Sequence, residues 1–314
     1  MHHRTSTTPP GPLDDARSFG SPNWFVAGYG VGRNLPLPNP ARQEGVQYVL
    51  TRMSSLFDAG QIIGTGFANH FRGLPLEVYT DTLRKVLLAH DQLVPNIEGL
   101  EFTDHANAPS ELLLAHRFSM RVGSSHVEIP ATWLSHGYQA TIAWLADLVG
   151  QIIWERVEHG FAIDISPQDM EGLVLVDELD LHLHPSWQVG LIPALKQTFP
   201  NLQFIVTTHS PMLLAGLEAD EIVMLDQDPE TGDVIARTDE RPPKLLTGTE
   251  LFERYFGIDE LYPVNLARSM RRYGYLASDP YRSDDDEREM QRLHAELERA
   301  GVGPDWQPVP RKSP

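Results

Sequence analysis

Several absences exclude particular classes of protein for this 314-residue chain. It contains no cysteine, which excludes disulfide scaffolds and thiolate metal sites. No apolar run approaches the roughly 18 residues of a membrane span, and the start MHHRTSTTPPGP has no apolar signal core. These two absences favour a cytoplasmic protein with no membrane partner. A net charge of −18 argues against uniform coating of nucleic acid, although a local basic face stays open.

Lysine is scarce as well, with only Lys85, Lys196, Lys244 and Lys312 in the whole chain. The residues that are present include 41% apolar side chains, enough for a proper core. Residues 1–20 are rich in Pro, Ser, Thr and Gly, which predicts a disordered N-terminal segment. The length allows one large domain or two modest ones.

Hydrophobic periodicity predicts alternating strands and helices. Strands are expected at 24–28, 173–177, 203–207 and 222–225, and short strands between 98 and 130 around the turn signal GSS. Helices are expected within 43–95, at 135–158, at 186–199 and beyond 240. Strand, helix and strand between 173 and 207 form a βαβ unit with a parallel pair. Pro193 lies inside the middle helix and predicts a kink or a break.

Polar side chains follow two neighbouring strands of this unit. Asp177 and Glu178 come directly after one apolar run, and Thr207, Thr208 and His209 come after the next. The carboxyl ends of parallel strands meet at one edge of a sheet, where ligands of α/β proteins bind. A carboxylate pair and a histidine at that edge suit nucleoside-triphosphate hydrolysis with magnesium. An ordinary solvated strand end remains the alternative for the acids alone.

Two further features keep their alternatives open. His182 and His184, with Asp177, Asp180 and His209, could form a nitrogen and oxygen metal site, but packing within a tight loop is favoured. Ser135 precedes the helix 135–158 and can cap it. The exposed N–H groups of such a helix end can bind phosphate, although a plain capped helix is the favoured explanation when capping alone is considered.

Four motifs, taken in order, resemble those of one family. LSHGYQA at 134–140 looks like the signature motif of ABC-type ATPases, GLVLVDE at 172–178 like their Walker B strand, and DLHLHP at 180–185 with TTHS at 207–210 like the D-loop and switch-histidine segment. VDELDLHLHPSWQ and FPNLQFIVTTHSP are similar to the AAA-family ATPases of the ABC-like, AAA_21 kind. The resemblance covers roughly residues 24–226, and 251–270 looks like the helical extension that follows.

The resemblance implies a fold and a domain plan. We expect a partial P-loop NTPase fold of ABC-ATPase type: an α/β domain with a mostly parallel sheet flanked by helices, over 21–235. An insert of helix and strand is expected at about 40–130, and a helical C-terminal extension and tail at 236–314.

The resemblance also implies roles for individual residues, with ATP and Mg²⁺ as cofactors. Asp177 would hold the magnesium shell, Glu178 would act as general base or position water, and His209 would contact the terminal phosphate. Asp180 would signal across a dimer interface. Ser135 and Gly137 would touch a nucleotide held by the opposite subunit, and His136 departs from the usual small or acidic residue between them.

One family element is missing from the sequence. The Walker A loop, G-x-x-x-x-G-K-[ST], needs a lysine that none of the four lysines supplies in that context. GYGVGRN at 28–34 is glycine-rich but ends in Arg33 and Asn34, so a turn is its expected use. A split gene, a broken reading frame or a degenerate ATPase would each explain the absence.

Three functions follow from these observations. The first is ATP binding and hydrolysis in a head-to-head dimer, with this chain inactive alone and with DNA, a nuclease or a defence effector as possible family-type partners. The second is a non-catalytic half that pairs with a complementary Walker A-containing half. The third, ranked lowest, is a metal-dependent hydrolase built on the Asp and His side chains.

Overall fold

A computed structural model of the chain describes residues 25–33, 52–58, 73–101, 117–228, 230–258, 263–302 and 308–311. The segment 1–20, predicted to be disordered, lies outside these ranges. Contacts divide the chain into two compact units. The first comprises Met1–Val223 with Thr238–Lys244, and the second comprises Met224–Arg237 with Leu245–Pro314.

The first unit alternates strands and helices. Its strands are β1 (Val26–Tyr29), β2 (Ile97–Glu101), β3 (Arg117–Val122), β4 (Ser125–Pro130), β5 (Gly172–Val176) and β6 (Leu202–Val206). Its helices are α1 (Leu74–Leu87), α2 (His136–Glu158), α3 (Pro185–Thr198) and the short α4 (Pro211–Leu214). The α/β fold class with a parallel sheet, expected from the sequence, is confirmed.

A parallel sheet in the order β1-β5-β6 forms the centre of this unit. Because Ala27 pairs with Val174 and Tyr29 pairs with Val176, these four side chains share one face, and all four are buried. The next strand continues the row with Val206, opposite Val176. The predicted βαβ unit is therefore present, with β5 and β6 parallel and α3 between them in sequence.

Helix α2 is the main apolar element beside this sheet. It is 23 residues long, and an unbroken run from Ala140 to Ile153 is buried. A helix that is apolar on nearly all sides must be enclosed by neighbours, and α2 packs against both β1 and α1. Its buried Asp147 is paired, because Tyr29 donates its hydroxyl to this carboxylate, 3.1 Å away. Burial, and then the Asp147 charge, raise the pKa of Tyr29 well above its usual value.

The predicted short strands between 98 and 130 are confirmed as the antiparallel sheet β2-β3-β4. The expected GSS turn joins β3 to β4, and Gly123 adopts φ +62°, a conformation that glycine reaches without strain. Of the helix predicted within 43–95, α1 is present, whereas 34–51 and 59–72 lie outside the described residues. The strand predicted at 24–28 is found at Val26–Tyr29.

Of the kink or break predicted at Pro193, the break is wrong. Helix α3 continues from Pro185 to Thr198 with Pro193 inside it. Proline in a helix interior removes one backbone hydrogen bond, but tertiary packing by a neighbouring residue can override such a local preference. Gly216 provides that neighbour, because a Cβ added there would lie 2.7 Å from Cδ of Pro193.

The described residues of the second unit form a two-stranded antiparallel sheet and three helices. The strands are β7 (Met224–Gln227) and β8 (Val234–Arg237), so the strand predicted at 222–225 is shifted by two residues. The helices are α5 (Gly248–Phe256), α6 (Val264–Ser278) and α7 (Asp284–Arg299). Helices α6 and α7 pack on each other around a core of Tyr273, Leu276, Ala277, Met290, Leu293 and Leu297. The helical character predicted beyond 240 is confirmed.

Candidate functional site

The acidic pair lies at the carboxyl end of the middle strand of the parallel sheet. The Asp177 amide donates to the carbonyl of Tyr29 at 2.8 Å, which extends the β1–β5 ladder by one residue. The Thr207 amide likewise donates to the carbonyl of Val176 at 3.0 Å on the β6 side. Asp177 therefore stands between the ends of two neighbouring strands, and the segment after β6 begins beside it.

Threonine hydroxyl groups join the acidic segment, residues 177–180, to the segment that follows β6. Thr207 donates its hydroxyl to a carboxylate oxygen of Asp177, and the same oxygen of Thr207 accepts the Glu178 amide at 2.7 Å. Thr208 donates its hydroxyl to Oδ1 of Asp180. The two threonines thus fix the positions of Asp177, Glu178 and Asp180.

His209 follows these threonines directly and is exposed. The next residue, Ser210, is buried and donates its hydroxyl to Oε1 of Gln188, while its own oxygen accepts the Met212 amide at 3.2 Å. Gln188 in turn donates to the carbonyl of Leu183 at 2.9 Å. The backbone on either side of His209 is therefore held by side-chain hydrogen bonds, and the imidazole extends from a fixed loop.

The turn after β5 contains two residues in the left-handed region. Glu178 has φ +46° and His182 has φ +64°, which is uncommon for residues other than glycine. Such backbone persists only where surrounding contacts determine it. Here Leu179 donates to the carbonyl of Thr207 at 2.9 Å, and Leu181 donates to the carbonyl of Glu178 at 3.0 Å.

Arg33 is a residue of this site that the sequence patterns did not identify. Its guanidinium donates from Nη1 to the carbonyl of Asp177 and from Nη2 to the carbonyl of Glu178, the latter at 2.6 Å. Only 3% of Arg33 is exposed. Burial lowers the pKa of Arg33 to about 10, and the nearby charges of Asp177, Glu178 and Asp180 oppose that shift. Arg33 therefore remains charged at neutral pH.

The glycines before Arg33 serve packing, in agreement with the turn expected for GYGVGRN. A Cβ on Gly30 would lie 1.9 Å from the carbonyl oxygen of Ser55, and Ser55 donates its hydroxyl to the carbonyl of Gly28 at 2.9 Å. The segment 52–58 thus lies directly against the end of β1. No side chain larger than hydrogen fits at position 30.

The signature segment contacts the D-loop of the same chain. A Cβ on Gly137 would lie 2.5 Å from the carbonyl oxygen of His182, and the rings of His136 and His182 are 5.8 Å apart. Ser135 occupies the N-cap position of α2 and is exposed, but its side chain accepts no capping hydrogen bond from the first turn of the described helix. The predicted cap is therefore absent, and the Ser135 hydroxyl faces solvent.

The histidines of the D-loop have separate surroundings. His184 is the N-cap residue of α3, where its Nδ1 accepts the Ser186 amide at 3.3 Å. Within the described ranges, no three His, Asp or Glu side chains are grouped so that they could hold a metal ion. The geometry of the acidic segment instead suits Mg²⁺, which proteins commonly bind through one or two carboxylates completed by water and substrate phosphates.

The three lysines that the structure describes are paired with acids away from this site. Lys85 pairs with Asp81 at 3.2 Å, Lys196 with Glu221 at 2.6 Å and Lys244 with Glu218 at 2.5 Å. Lys312 lies outside the described residues.

Among the described helices, none is long and apolar enough to cross a bilayer.

Comparison with known proteins agrees with the motif order. Residues 95–215 match the family model AAA_21, described as "AAA domain, putative AbiEii toxin, Type IV TA system". Over these residues the chain is similar to the AAA_21 family and resembles an ATPase-like AAA domain. The resemblance seen in the sequence is confirmed.

Curated relatives cover part of the chain. The "Retron Ec83 probable ATPase" of Escherichia coli is 34% identical over 148 residues, covering 47% of this chain and 24% of the relative. The "Septu protein PtuA" of Bacillus mycoides (strain KBAB4) is 34% identical over 166 residues, covering 52% and 22%. The PtuA of Bacillus thuringiensis is 36% identical over 151 residues, covering 46% and 36%. The chain thus matches between about a fifth and about a third of the length of these relatives.

Solved structures show a more distant similarity. The Smc head domain of Pyrococcus furiosus, solved with the C-terminal domain of ScpA, is 16% identical with a TM-score of 0.33, and the match covers 52% of this chain and 35% of that one.

Proposed function

We propose that this chain supplies the Walker B and switch-histidine side of a site that binds and hydrolyses ATP with Mg²⁺. One observation carries the proposal: Asp177 and Glu178 follow one parallel strand, His209 follows its hydrogen-bonded neighbour, and Thr207 bonds the two segments together. This places acids and imidazole at the edge of the sheet where α/β proteins bind ligands. The match of residues 95–215 to the AAA_21 family model supports it.

Each residue has a distinct task in this proposal. Asp177 would hold Mg²⁺, which when bound neutralises charge on the phosphate oxygens. Glu178 accepts a proton from, or orients, the attacking water. His209 donates a hydrogen bond to the terminal phosphate. Asp180, tied to Thr208, keeps the two loops in register and communicates with a facing subunit.

The helix start at Ser135 supports a second contact with nucleotide. Ser135 is exposed, its hydroxyl does not cap the described helix, and the first N–H groups of α2 lie beside it. Helix N-termini attract phosphate through these N–H groups and the helix dipole. Ser135 and Gly137 would face nucleotide held by the opposite subunit, in a head-to-head homodimer or in a pair with a complementary half.

A non-catalytic half remains the second candidate, and the lysine positions favour it. The 314 residues contain no Walker A motif, and the three described lysines are paired with acids elsewhere. In either case a segment with the pattern G-x-x-x-x-G-K-[ST], which these 314 residues lack, would have to cradle the phosphates. The partner that the sequence resemblance implies, namely DNA, a nuclease or a defence effector, is part of this proposal.

The test measures ATP hydrolysis by the chain alone and after mixing with a Walker A-containing polypeptide encoded beside it. We expect negligible turnover alone and clear turnover in the mixture, reduced by about 100-fold or more in Glu178→Gln, since this removes the group that positions water. Glu171→Gln is the matched control, because Glu171 precedes β5 where Glu178 follows it.

Three outcomes separate the candidates. Turnover in the mixture that depends on Glu178 supports an active half. Turnover that is unaffected by Glu178→Gln, but needs this chain, supports the non-catalytic half. Robust hydrolysis by the chain alone, abolished by Glu178→Gln, contradicts the need for a complementary half.

A further inference from the structure

Arg33 makes a contact that ordinary stability does not require. A charged guanidinium with 3% exposure lies against two consecutive carbonyl oxygens of the acidic segment, 144 residues away in sequence. Burying a charge is costly unless it is paired or hydrogen-bonded. Arg33 lies next to Asp177, Glu178 and Asp180, yet its described hydrogen bonds go to backbone and leave the Asp177 and Glu178 carboxylates available.

The shape of the guanidinium explains why arginine stands here. Consecutive carbonyl groups of an extended strand point in opposite directions, so one donor cannot normally reach both. The left-handed conformation of Glu178, at φ +46°, turns the chain so that the carbonyl oxygens of Asp177 and Glu178 both contact one side chain. A planar fork of N–H donors fits such a pair, whereas the single ammonium of lysine does not.

The geometry points to Arg33 as a positioning residue that sets the direction of the Asp177 and Glu178 carboxylates. This inference rests on the proposed function, because it assigns Arg33 to the same ATP site. The Thr207 hydroxyl holds the Glu178 amide from the β6 side, and Arg33 holds the Glu178 carbonyl from the β1 side. With both ends of the residue fixed, the Cα–Cβ direction of Glu178 is fixed as well.

Arg33 does not replace the missing lysine. Two of the five N–H groups of its guanidinium are engaged by carbonyl oxygens, and the residue is only 3% exposed, so little of it is accessible to a phosphate. Its effect on hydrolysis is therefore transmitted through the two acids. A misplacement of a catalytic group by about 1 Å can lower a rate by about 100-fold without weakening substrate binding to the same degree.

The test compares Arg33→Lys with Arg52→Lys in the full chain, mixed with the Walker A-containing polypeptide. Arg52 is the matched control because it is equally enclosed, at 6% exposure, but pairs with Glu155. We expect Arg33→Lys to lower kcat by about 10- to 100-fold with KM for MgATP within about threefold. Arg52→Lys should leave both constants near those of the wild type.

A purely structural role for Arg33 gives a different pattern. It would lower the amount of folded protein and the unfolding temperature in both variants, with no selective fall in kcat. Wild-type kcat in Arg33→Lys, or an equal fall in Arg52→Lys, would overturn the inference.

Absence of ATP hydrolysis in the mixture would contradict the proposed function itself. A second measurement tests the inference about Arg33 in that case. Hydrogen exchange at the amides of Leu179 and Leu181 reports the order of the acidic turn, because these amides bond to Thr207 and Glu178. We expect exchange there to accelerate about tenfold or more in Arg33→Lys, with α2 unchanged. Exchange equal to that of Arg52→Lys would show that Arg33 does not hold the turn.

Discussion

At the scale of single residues, Gly137 determines how the signature helix meets the D-loop. The space for any side chain at position 137 is taken by the carbonyl oxygen of His182, which a Cβ would approach to 2.5 Å. Backbone cannot swing aside as a flexible side chain can. His182 is itself in the left-handed region, at φ +64°, so the turn has little freedom to move away. The exposed Ser135 is held two residues from this contact.

We therefore predict that Gly137→Ala lowers the free energy of unfolding by about 1–3 kcal/mol, the usual range for overpacking a filled site. Alanine normally stabilises a helix relative to glycine, so a loss would reveal the clash. Gly248→Ala is the control, because Gly248 also lies in the first turn of a helix but has no atom within 4 Å of an added Cβ. The free energy of unfolding of each variant is compared with that of the wild type by urea unfolding. An equal change in both variants would contradict the contact.

The residues that sequence could identify are those with local signals. Asp177, Glu178 and His209 each follow an apolar run, and the parallel pairing of the two runs follows from the short βαβ spacing. Their catalytic roles stay predictions. Arg33 has no such signal, because its partners are carbonyl groups of residues more than a hundred positions away, and backbone acceptors leave no mark in a sequence.

At the scale of elements, the first two turns of α7 combine a cap with an ion pair to α6. Ser283 and Asp286 form a capping box, in which each side chain accepts the other's backbone amide at 3.2 Å and 3.0 Å. Arg272 of α6 contacts Glu289, with Nη2 at 2.6 Å from the carboxylate. The Ser283 hydrogen bonds lower the pKa of Asp286, and the Arg272 hydrogen bond lowers the pKa of Glu289.

These shifts give the α6–α7 hairpin a pH-dependent stability. A carboxyl group with a lowered pKa in the folded state stabilises it fully above the pKa of the unfolded chain, about 4, and loses that contribution as pH falls through the lowered folded-state value. We predict that hydrogen exchange in residues 264–299 accelerates between pH 5 and pH 3, after correction for intrinsic exchange, and that Asp286→Asn reduces this response. Asp285→Asn, in the same turn, should respond like wild type. An unchanged response in Asp286→Asn would show that the capping carboxylate does not contribute.

Pro193 shows that local sequence patterns do not always determine where a helix ends. Taken alone, a proline at that position indicates the end of a helix. The helix continues because Gly216, from the turn after α4, leaves room for the proline ring. A tertiary contact therefore overrides a strong local preference, and the glycine that permits it lies in another element. The same applies to the Ser135 cap, which local rules favour and the described first turn of α2 does not form.

At the scale of the whole molecule, the parallel sheet ends at an apolar strand. In the sheet order β1-β5-β6, β6 has one hydrogen-bonded neighbour among the described strands. Ile205 on this strand is 51% exposed, and Gln203 on the same face is exposed too. The opposite edge differs, because the Gly28 amide of β1 donates to the carbonyl of Arg52 at 2.9 Å. An exposed apolar edge strand is a template for pairing with another strand.

This edge and the missing Walker A motif lead to one prediction about assembly. If a complementary half completes the sheet, its strand would add beside β6, and a charge at position 205 would oppose that addition. We expect Ile205→Lys to weaken association with the Walker A-containing polypeptide by at least about tenfold, measured by sedimentation velocity. The unfolding free energy of the isolated chain should change by no more than about 0.5 kcal/mol, because the side chain is half exposed. Val223→Lys is the control, since Val223 is 60% exposed but lies outside the strands. Equal association of both variants would move the contact surface away from β6 and leave the edge without a role in assembly.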